Sequence, residues 1–162
     1  MHVRSRQFIA LLEIAGGFIG MATASSSAAA PGLSLLQRLI IGSMGIPFAL
    51  CAYAGRELWF DLPRGYPLSI LVQALQIPAW SSPSLFYIFH CGAQAGVWIG
   101  NTGLVPMWGL GSRFTLVLVE HPWAEAVGLN FLAVAALALL VIDRMASRGA
   151  GLGAIQARTV AD

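Results

Sequence analysis

Glu13 is the residue with the clearest potential for chemistry, because it interrupts an apolar run of about residues 7–30. A carboxylate among apolar groups needs a partner, or its pKa rises until the group is neutral. Gln73 lies at a comparable depth in another apolar run, about residues 66–80, and its carboxamide both donates and accepts hydrogen bonds. Because the two residues lie at comparable depths in their predicted helices, the sequence predicts a contact between Glu13 and Gln73. This contact is either an interhelical hydrogen bond that fixes packing or part of a proton or cation relay.

Two further carboxamides, Gln76 and Asn130, fall within apolar runs and are candidates for pairing with each other across two helices. Polar groups inside a membrane are costly and are suspects for function by default. Hydrogen bonds between such groups contribute about 0.6–2 kcal/mol in a membrane. We expect Gln76 and Asn130 to be packing groups.

The side chains with metal-ligand chemistry are His90, Cys91, Glu120 and His121. Imidazole, thiolate and carboxylate suit zinc. The two halves of this set are about thirty residues apart, and their spacing is not diagnostic of a metal site. The sequence therefore predicts no metal and no cofactor.

Catalytic motifs are missing from the sequence. It contains no Gly-x-Ser-x-Gly elbow and no glycine-rich loop ending in a basic residue that would hold a phosphate. The seven acids and three histidines do not suggest a set of groups held in a cleft. We expect no catalytic residues, and a protein that is not an enzyme.

The elements that position these residues follow from a composition that is 57% apolar and only 10% charged, with a mean hydropathy of +0.75. Soluble domains carry about 25% charged residues. The 162 residues predict a single α-helical membrane domain with four transmembrane helices. Their approximate limits are residues 7–30, 35–54, 66–80 and 124–142, followed by a flexible tail over 144–162. The first run also fits a cleaved signal peptide, and that alternative stays open.

Residues 85–123 do not fit a helix easily. Runs rich in aromatic and β-branched residues alternate there with glycine-rich segments, which is typical of strands and hairpins. The sequence predicts a small antiparallel β element outside the bilayer, between the third and fourth helices. One more kinked helix over about 86–108 is the alternative.

Small residues recur at every fourth position of the first helix, at Gly16, Gly20 and Ala24. This spacing lets the backbones of two helices approach closely in lipid. We expect this face to be a helix-packing surface.

Arginine positions set the predicted orientation. Four spans place seven arginines on one side and two on the other, and the positive side faces the cytoplasm. We therefore expect a multi-pass protein of the bacterial inner (plasma) membrane with both termini in the cytoplasm. Cys51 and Cys91 would then lie on opposite sides, which predicts no disulfide between them.

The predicted function is that of a non-enzymatic interaction or accessory module, or a subunit of a membrane assembly. An oligomeric pore or transport protein with Glu13, Gln73 and Asn130 lining water is the first alternative, and a membrane enzyme is the second. Expected partners are the lipid bilayer and either further copies of the chain or another membrane protein. The formal net charge of +2 argues against nucleic acid.

Overall fold

The computed structural model describes residues 3–101, 103–118 and 124–159, and describes side chains over 5–101, 103–118 and 124–146. These residues form helices and an antiparallel sheet. The helices are α1 (Val3–Ala28), α2 (Leu35–Ser43), α3 (Gly45–Trp59), α4 (Gly65–Gln76) and α5 (Phe131–Thr159). The strands are β1 (Pro78–Ser81), β2 (Phe86–Gly100), β3 (Gly103–Val117) and β4 (Ala126–Asn130).

A long hairpin forms the larger part of the sheet. Strands β2 and β3 pair antiparallel over their whole length, from Phe86 opposite Val117 to Gly100 opposite Gly103. The shorter strand β4 pairs with both β1 and the far half of β2, which gives the strand order β1-β4-β2-β3. The predicted antiparallel strands after residue 85 are therefore confirmed over 86–117, and the alternative of a kinked helix over 86–108 is wrong.

The second predicted helix is interrupted. A capping box starts α2: the Ser34 hydroxyl accepts from the Gln37 backbone N–H, and the Gln37 side chain accepts from the Ser34 backbone N–H. The helix stops at Ser43 and restarts at Gly45. Pro47 lies one turn beyond the break, and its missing N–H removes the hydrogen bond that would have carried α2 into α3.

The third and fourth predicted helices are partly strand. Helix α4 ends at Gln76, and Pro78, which lacks an N–H, begins β1 instead of continuing the helix. The run predicted as helix from residue 124 starts as β4, and α5 begins only at Phe131. Asn130 marks that change, because its Oδ1 accepts from the backbone N–H groups of Leu132 and Ala133 and so caps α5.

The prediction of four transmembrane helices is therefore wrong. Among the described residues, two helical stretches are long and apolar enough to cross a membrane, Ser5–Ala28 and Leu35–Trp59, and both lie near the N-terminus. The third predicted span is a helix of only 12 residues, about 18 Å long against a hydrocarbon core of about 30 Å. The sheet-rich remainder does not support a multi-pass inner-membrane protein, so the predicted location and orientation are not supported either.

Helices and sheet form one packed body. One buried cluster joins α3, α4 and β2 through Phe48, Cys51, Val72 and Phe89, among others. A second joins the N-terminal half of α1 to α3 and α5 through Ile9, Leu58 and Leu140. The sheet is thus part of the core that surrounds Glu13, and not a separate element between two helices.

The small residues of α1 allow two close approaches. A Cβ added at Gly16 would lie 2.2 Å from the backbone nitrogen of Gly92, so strand β2 lies directly against the helix there. A Cβ at Gly20 would lie 2.2 Å from the Phe48 ring of α3. Ala24, on the same face, is buried. The predicted packing surface thus meets a strand at Gly16 and a helix side chain at Gly20.

Candidate functional site

The carboxyl group of Glu13 is the centre of a buried polar cluster, and its side chain is 0% exposed. Ser69 Oγ donates to Glu13 Oε2 at 2.7 Å, and Gln73 Nε2 donates to Glu13 Oε1 at 2.9 Å. Ser69 and Gln73 are four residues apart on α4 and so share one face of that helix. Each carboxyl oxygen therefore receives one hydrogen bond from the same helix face.

The Glu13–Gln73 contact predicted from the sequence is present in this cluster. The contribution of Ser69 was missed. Its position one helical turn before Gln73 was the available signal, because a residue at that spacing faces the same neighbour.

No described cation pairs with Glu13. Glu13 takes no part in the ion pairs that join Arg6 to Asp61 and Arg56 to Glu57. Burial raises the pKa of Glu13 to about 7, although the hydrogen bonds from Ser69 and Gln73 act in the opposite direction. The cluster therefore holds a group that gains or loses a proton close to neutral pH.

The two cysteines lie together beside this cluster. Cys51 of α3 and Cys91 of β2 are free thiols in the same buried core, and Cys91 Sγ donates to the backbone oxygen of Glu13 at 3.7 Å. A hydrogen bond with Cys91 and burial raise the pKa of the Cys51 thiol well above its usual range. The prediction that the cysteines lie on opposite sides of a membrane is wrong, because β2 packs back onto the helices.

Gln76 and Asn130 do not pair with each other. Gln76 Nε2 donates to the Val72 carbonyl at 3.3 Å, and Gln76 Oε1 accepts from the Cys91 backbone N–H at 2.8 Å. Asn130 Oδ1 accepts from the Ala95 N–H of β2 at 3.2 Å, as well as capping α5. Both carboxamides are used by backbone groups, so each one joins a helix to the sheet.

The side chains with metal-ligand chemistry are only partly within the described residues. Glu120 and His121 lie outside them. His90 is buried in β2, and its Nδ1 has no hydrogen-bond partner in the described part of the chain. Burial lowers the pKa of His90. No group of three or more potential ligands occurs among the described residues.

A second polar group lies at the end of the molecule where α1 begins and α3 ends. Arg6 forms an ion pair with Asp61, which follows α3. The Tyr66 hydroxyl of α4 donates to Asp143 of α5. These contacts join four helices or their ends, and we call Arg6, Asp61, Tyr66 and Asp143 the polar end. None of these four residues was identified as a candidate from the sequence.

Comparisons with known proteins give no assignment. No protein-family model, no curated protein and no solved structure matches the chain.

Proposed function

We propose that this chain is a non-enzymatic binding module whose partner is lipid. The observation that carries the proposal is the exposed apolar surface of α2 and the start of α3. Helix α2 has no buried residue. Large side chains that are half or more exposed follow one another there: Leu35, Leu36, Leu39, Ile40 and Ile46.

Contact of these apolar side chains with water is unfavourable in free energy. Burial of one Leu or Ile side chain contributes about 1.5–3 kcal/mol. Because these five side chains are between 51% and 74% exposed, burying what remains of them would contribute roughly 5–10 kcal/mol, which is comparable to the stability of a typical domain. Large exposed apolar surfaces mark sites of contact with a protein or a membrane.

The distribution of the exposed groups favours lipid over a protein partner. They occur on several elements and not on α2 and the start of α3 alone. Further examples that are half or more exposed are Phe8, Leu11, Phe18 and Ile19 of α1, Ile99 of β2, Leu104, Trp108 and Leu110 of β3, and Phe131, Ile142 and Met145 of α5. A protein partner covers one contiguous face, whereas hydrocarbon chains cover whatever apolar surface meets them.

The placement of charge agrees with this proposal. Arg6 and Asp61 of the polar end pair with each other, and Arg56 pairs with Glu57 on the neighbouring part of α3. The exposed face of α2 carries no acidic residue, and its one arginine, Arg38, turns back to the carbonyls of Leu33 and Ala30. Apolar contact, and not attraction between charges, would therefore dominate binding at α2.

The alternative of an oligomeric pore has less support. It requires Glu13, Gln73 and Asn130 to face water around a shared axis. These side chains are 0%, 7% and 2% exposed in a single chain, and they hydrogen-bond to neighbours within that chain. We therefore do not prefer a pore.

Flotation with vesicles of uncharged phosphatidylcholine tests the proposal. We expect the chain to float with the vesicles and to stay bound when salt is raised, because salt screens charge attraction but not apolar contact. The double variant Leu36→Ser with Leu39→Ser removes two exposed side chains and no buried one. Its partition should fall by roughly tenfold to 100-fold.

Ala49→Ser is the matched control, because Ala49 is exposed on α3 and the change adds a hydroxyl with little loss of apolar area. Its partition should equal that of the parent chain. Equal partition of the double variant and this control, or release of the chain by salt, would contradict lipid binding through α2.

A further inference from the structure

A crevice of about 100 Å³ lies between α1 and α5, away from the exposed face of α2. Its walls are mainly apolar side chains of those two helices. Its lining also includes two carboxamides of α4 and the cysteine of β2. The lining residues on which the inference rests are Phe8, Leu12, Leu132, Ala135, Leu139 and Gln73.

One residue that lines the crevice, Gln73, has a hydrogen-bond acceptor that no described residue uses. Gln73 is nine-tenths buried, and its Nε2 is turned towards Glu13, to which it donates. Its Oε1 accepts no hydrogen bond from the described residues, yet it is not among the side-chain atoms sealed from solvent. Gln73 lines the crevice, and because its Nε2 is engaged by Glu13, Oε1 is the end of the carboxamide left for a molecule that enters.

The neighbouring carboxamide shows the contrast. Gln76 also lines the crevice, but its Oε1 accepts from the Cys91 N–H and its Nε2 donates to the Val72 carbonyl. Both the oxygen and the nitrogen of the Gln76 carboxamide therefore form hydrogen bonds within the fold, whereas only the nitrogen of the Gln73 carboxamide does. Of the two carboxamides of the described residues that line the crevice, Gln73 is therefore the one with an acceptor left for a ligand.

From this geometry we propose that the crevice binds an uncharged apolar molecule that carries one hydroxyl group. The hydroxyl donates to Gln73 Oε1, and the hydrocarbon lies between α1 and α5. A ligand without a donor leaves the acceptor unfilled, which costs binding free energy. A charged ligand meets apolar walls that do not solvate it. A carboxylate would, in addition, lie close to the buried carboxyl of Glu13.

The size of the crevice limits the ligand. An apolar cavity of about 150 Å³ holds benzene, so a space of about 100 Å³ takes a short alkyl segment. The crevice is partly open to the surface, so a longer chain would extend out of it. Hexanol is a suitable probe because part of its chain fits and the rest follows this opening.

Photolabelling of the chain with a diazirine-bearing hexanol tests the site. We expect labelled peptides from residues 8–12 and 132–139, identified by mass spectrometry. Unlabelled 1-hexanol should protect these peptides about fivefold to tenfold better than methyl pentyl ether, its isomer without an O–H donor, since one hydrogen bond is worth about that factor. Equal protection by the two isomers would overturn the role of Gln73.

Two alanines of α5 form a matched pair of variants. Ala135 lines the crevice, and Ala138 is exposed on the same helix outside it. We expect Ala135→Leu to reduce labelling of both peptides at least fivefold and Ala138→Leu to leave it unchanged. Labelling that is equal in the two variants, or that falls on other peptides, would overturn the site.

This proposal does not depend on lipid binding through α2. Ala135→Leu should lose hexanol labelling and still float with vesicles. The double variant Leu36→Ser with Leu39→Ser should lose flotation and keep the labelling. If the double variant also lost crevice labelling, the crevice would not be an independent site and the inference would fail.

Discussion

Ser69 Oγ lies 2.7 Å from Glu13 Oε2, although the two residues are 56 positions apart in the sequence. The hydroxyl holds a carboxyl group that has no described cation beside it. Together with the bond from Gln73, it lowers the free energy of the ionised form, while burial raises it. The balance leaves a pKa of about 7 and makes the stability of the fold depend on pH.

We expect Glu13→Gln to stabilise the protein above neutral pH. The pKa of Glu13 is about 7 in the folded state and about 4.5 in an unfolded chain. Between those values the unfolded state ionises while the folded state keeps its proton, so stability falls as pH rises. The full loss is about 3 kcal/mol at pH 8. Glutamine does not ionise, and this loss should disappear.

Chemical unfolding at a series of pH values from about 4 to 8 measures this effect. The quantity of interest is the difference in unfolding free energy between the parent chain and Glu13→Gln, because other titrating groups such as His90 cancel in it. That difference should grow from pH 4.5 to 7 and then stay constant. A difference that does not vary with pH would show that Glu13 has an ordinary pKa.

Ser69→Ala should destabilise the fold more at about pH 8 than at about pH 5. Loss of a hydrogen bond to an ionised group costs about 1.5–3 kcal/mol, and loss of one to a neutral group about 1 kcal/mol. Ser43→Ala is the control, because the Ser43 hydroxyl is exposed and bonds only to the carbonyl of its own helix. Equal penalties for Ser69→Ala at the two pH values would contradict ionisation of Glu13 near neutrality.

The contact between Glu13 and Gln73 could be predicted from the sequence because each of these residues interrupts an apolar run. A polar group in such surroundings requires a partner, and Gln73 was available at the same depth. The hydrogen-bond partners of Gln76 could not be predicted from the sequence. They are the Cys91 N–H of β2 and the Val72 carbonyl, and the first depends on how the sheet packs against α4.

The hairpin was predictable and the number of helices was not. Glycine-rich segments separating aromatic and β-branched runs indicated strands at β2 and β3. The residues of β1 and β4 belong to long apolar runs, and a buried strand and a helix look alike in such runs. Pro78 and Asn130 lie at the boundaries between strand and helix. They can be recognised as boundaries only once the pairing of β1 with β4 is known.

Both cysteines should resist alkylation in the folded protein. Cys51 and Cys91 are buried, and the pKa of Cys51 is raised by its hydrogen bond with Cys91 and by burial. The thiolate is the reactive species, so Cys51 should react slowly even at about pH 8. Mass spectrometry after iodoacetamide treatment should find no modification in the native chain and two modifications in denaturant. Rapid modification of the native chain would contradict the packing of β2 onto α3.

Gly16→Ala should destabilise the fold by several kcal/mol, because the new Cβ would lie 2.2 Å from the backbone nitrogen of Gly92 and neither backbone can move without shifting α1 or β2. Gly42→Ala is the matched control. It is also a helical glycine, but its Cβ would meet nothing closer than Ala28 Cβ at 3.9 Å. Since alanine favours helix over glycine by about 1 kcal/mol, Gly42→Ala should be neutral or slightly stabilising. Thermal unfolding of both variants measures the contrast, and similar melting temperatures would show that α1 and β2 are not in contact at Gly16.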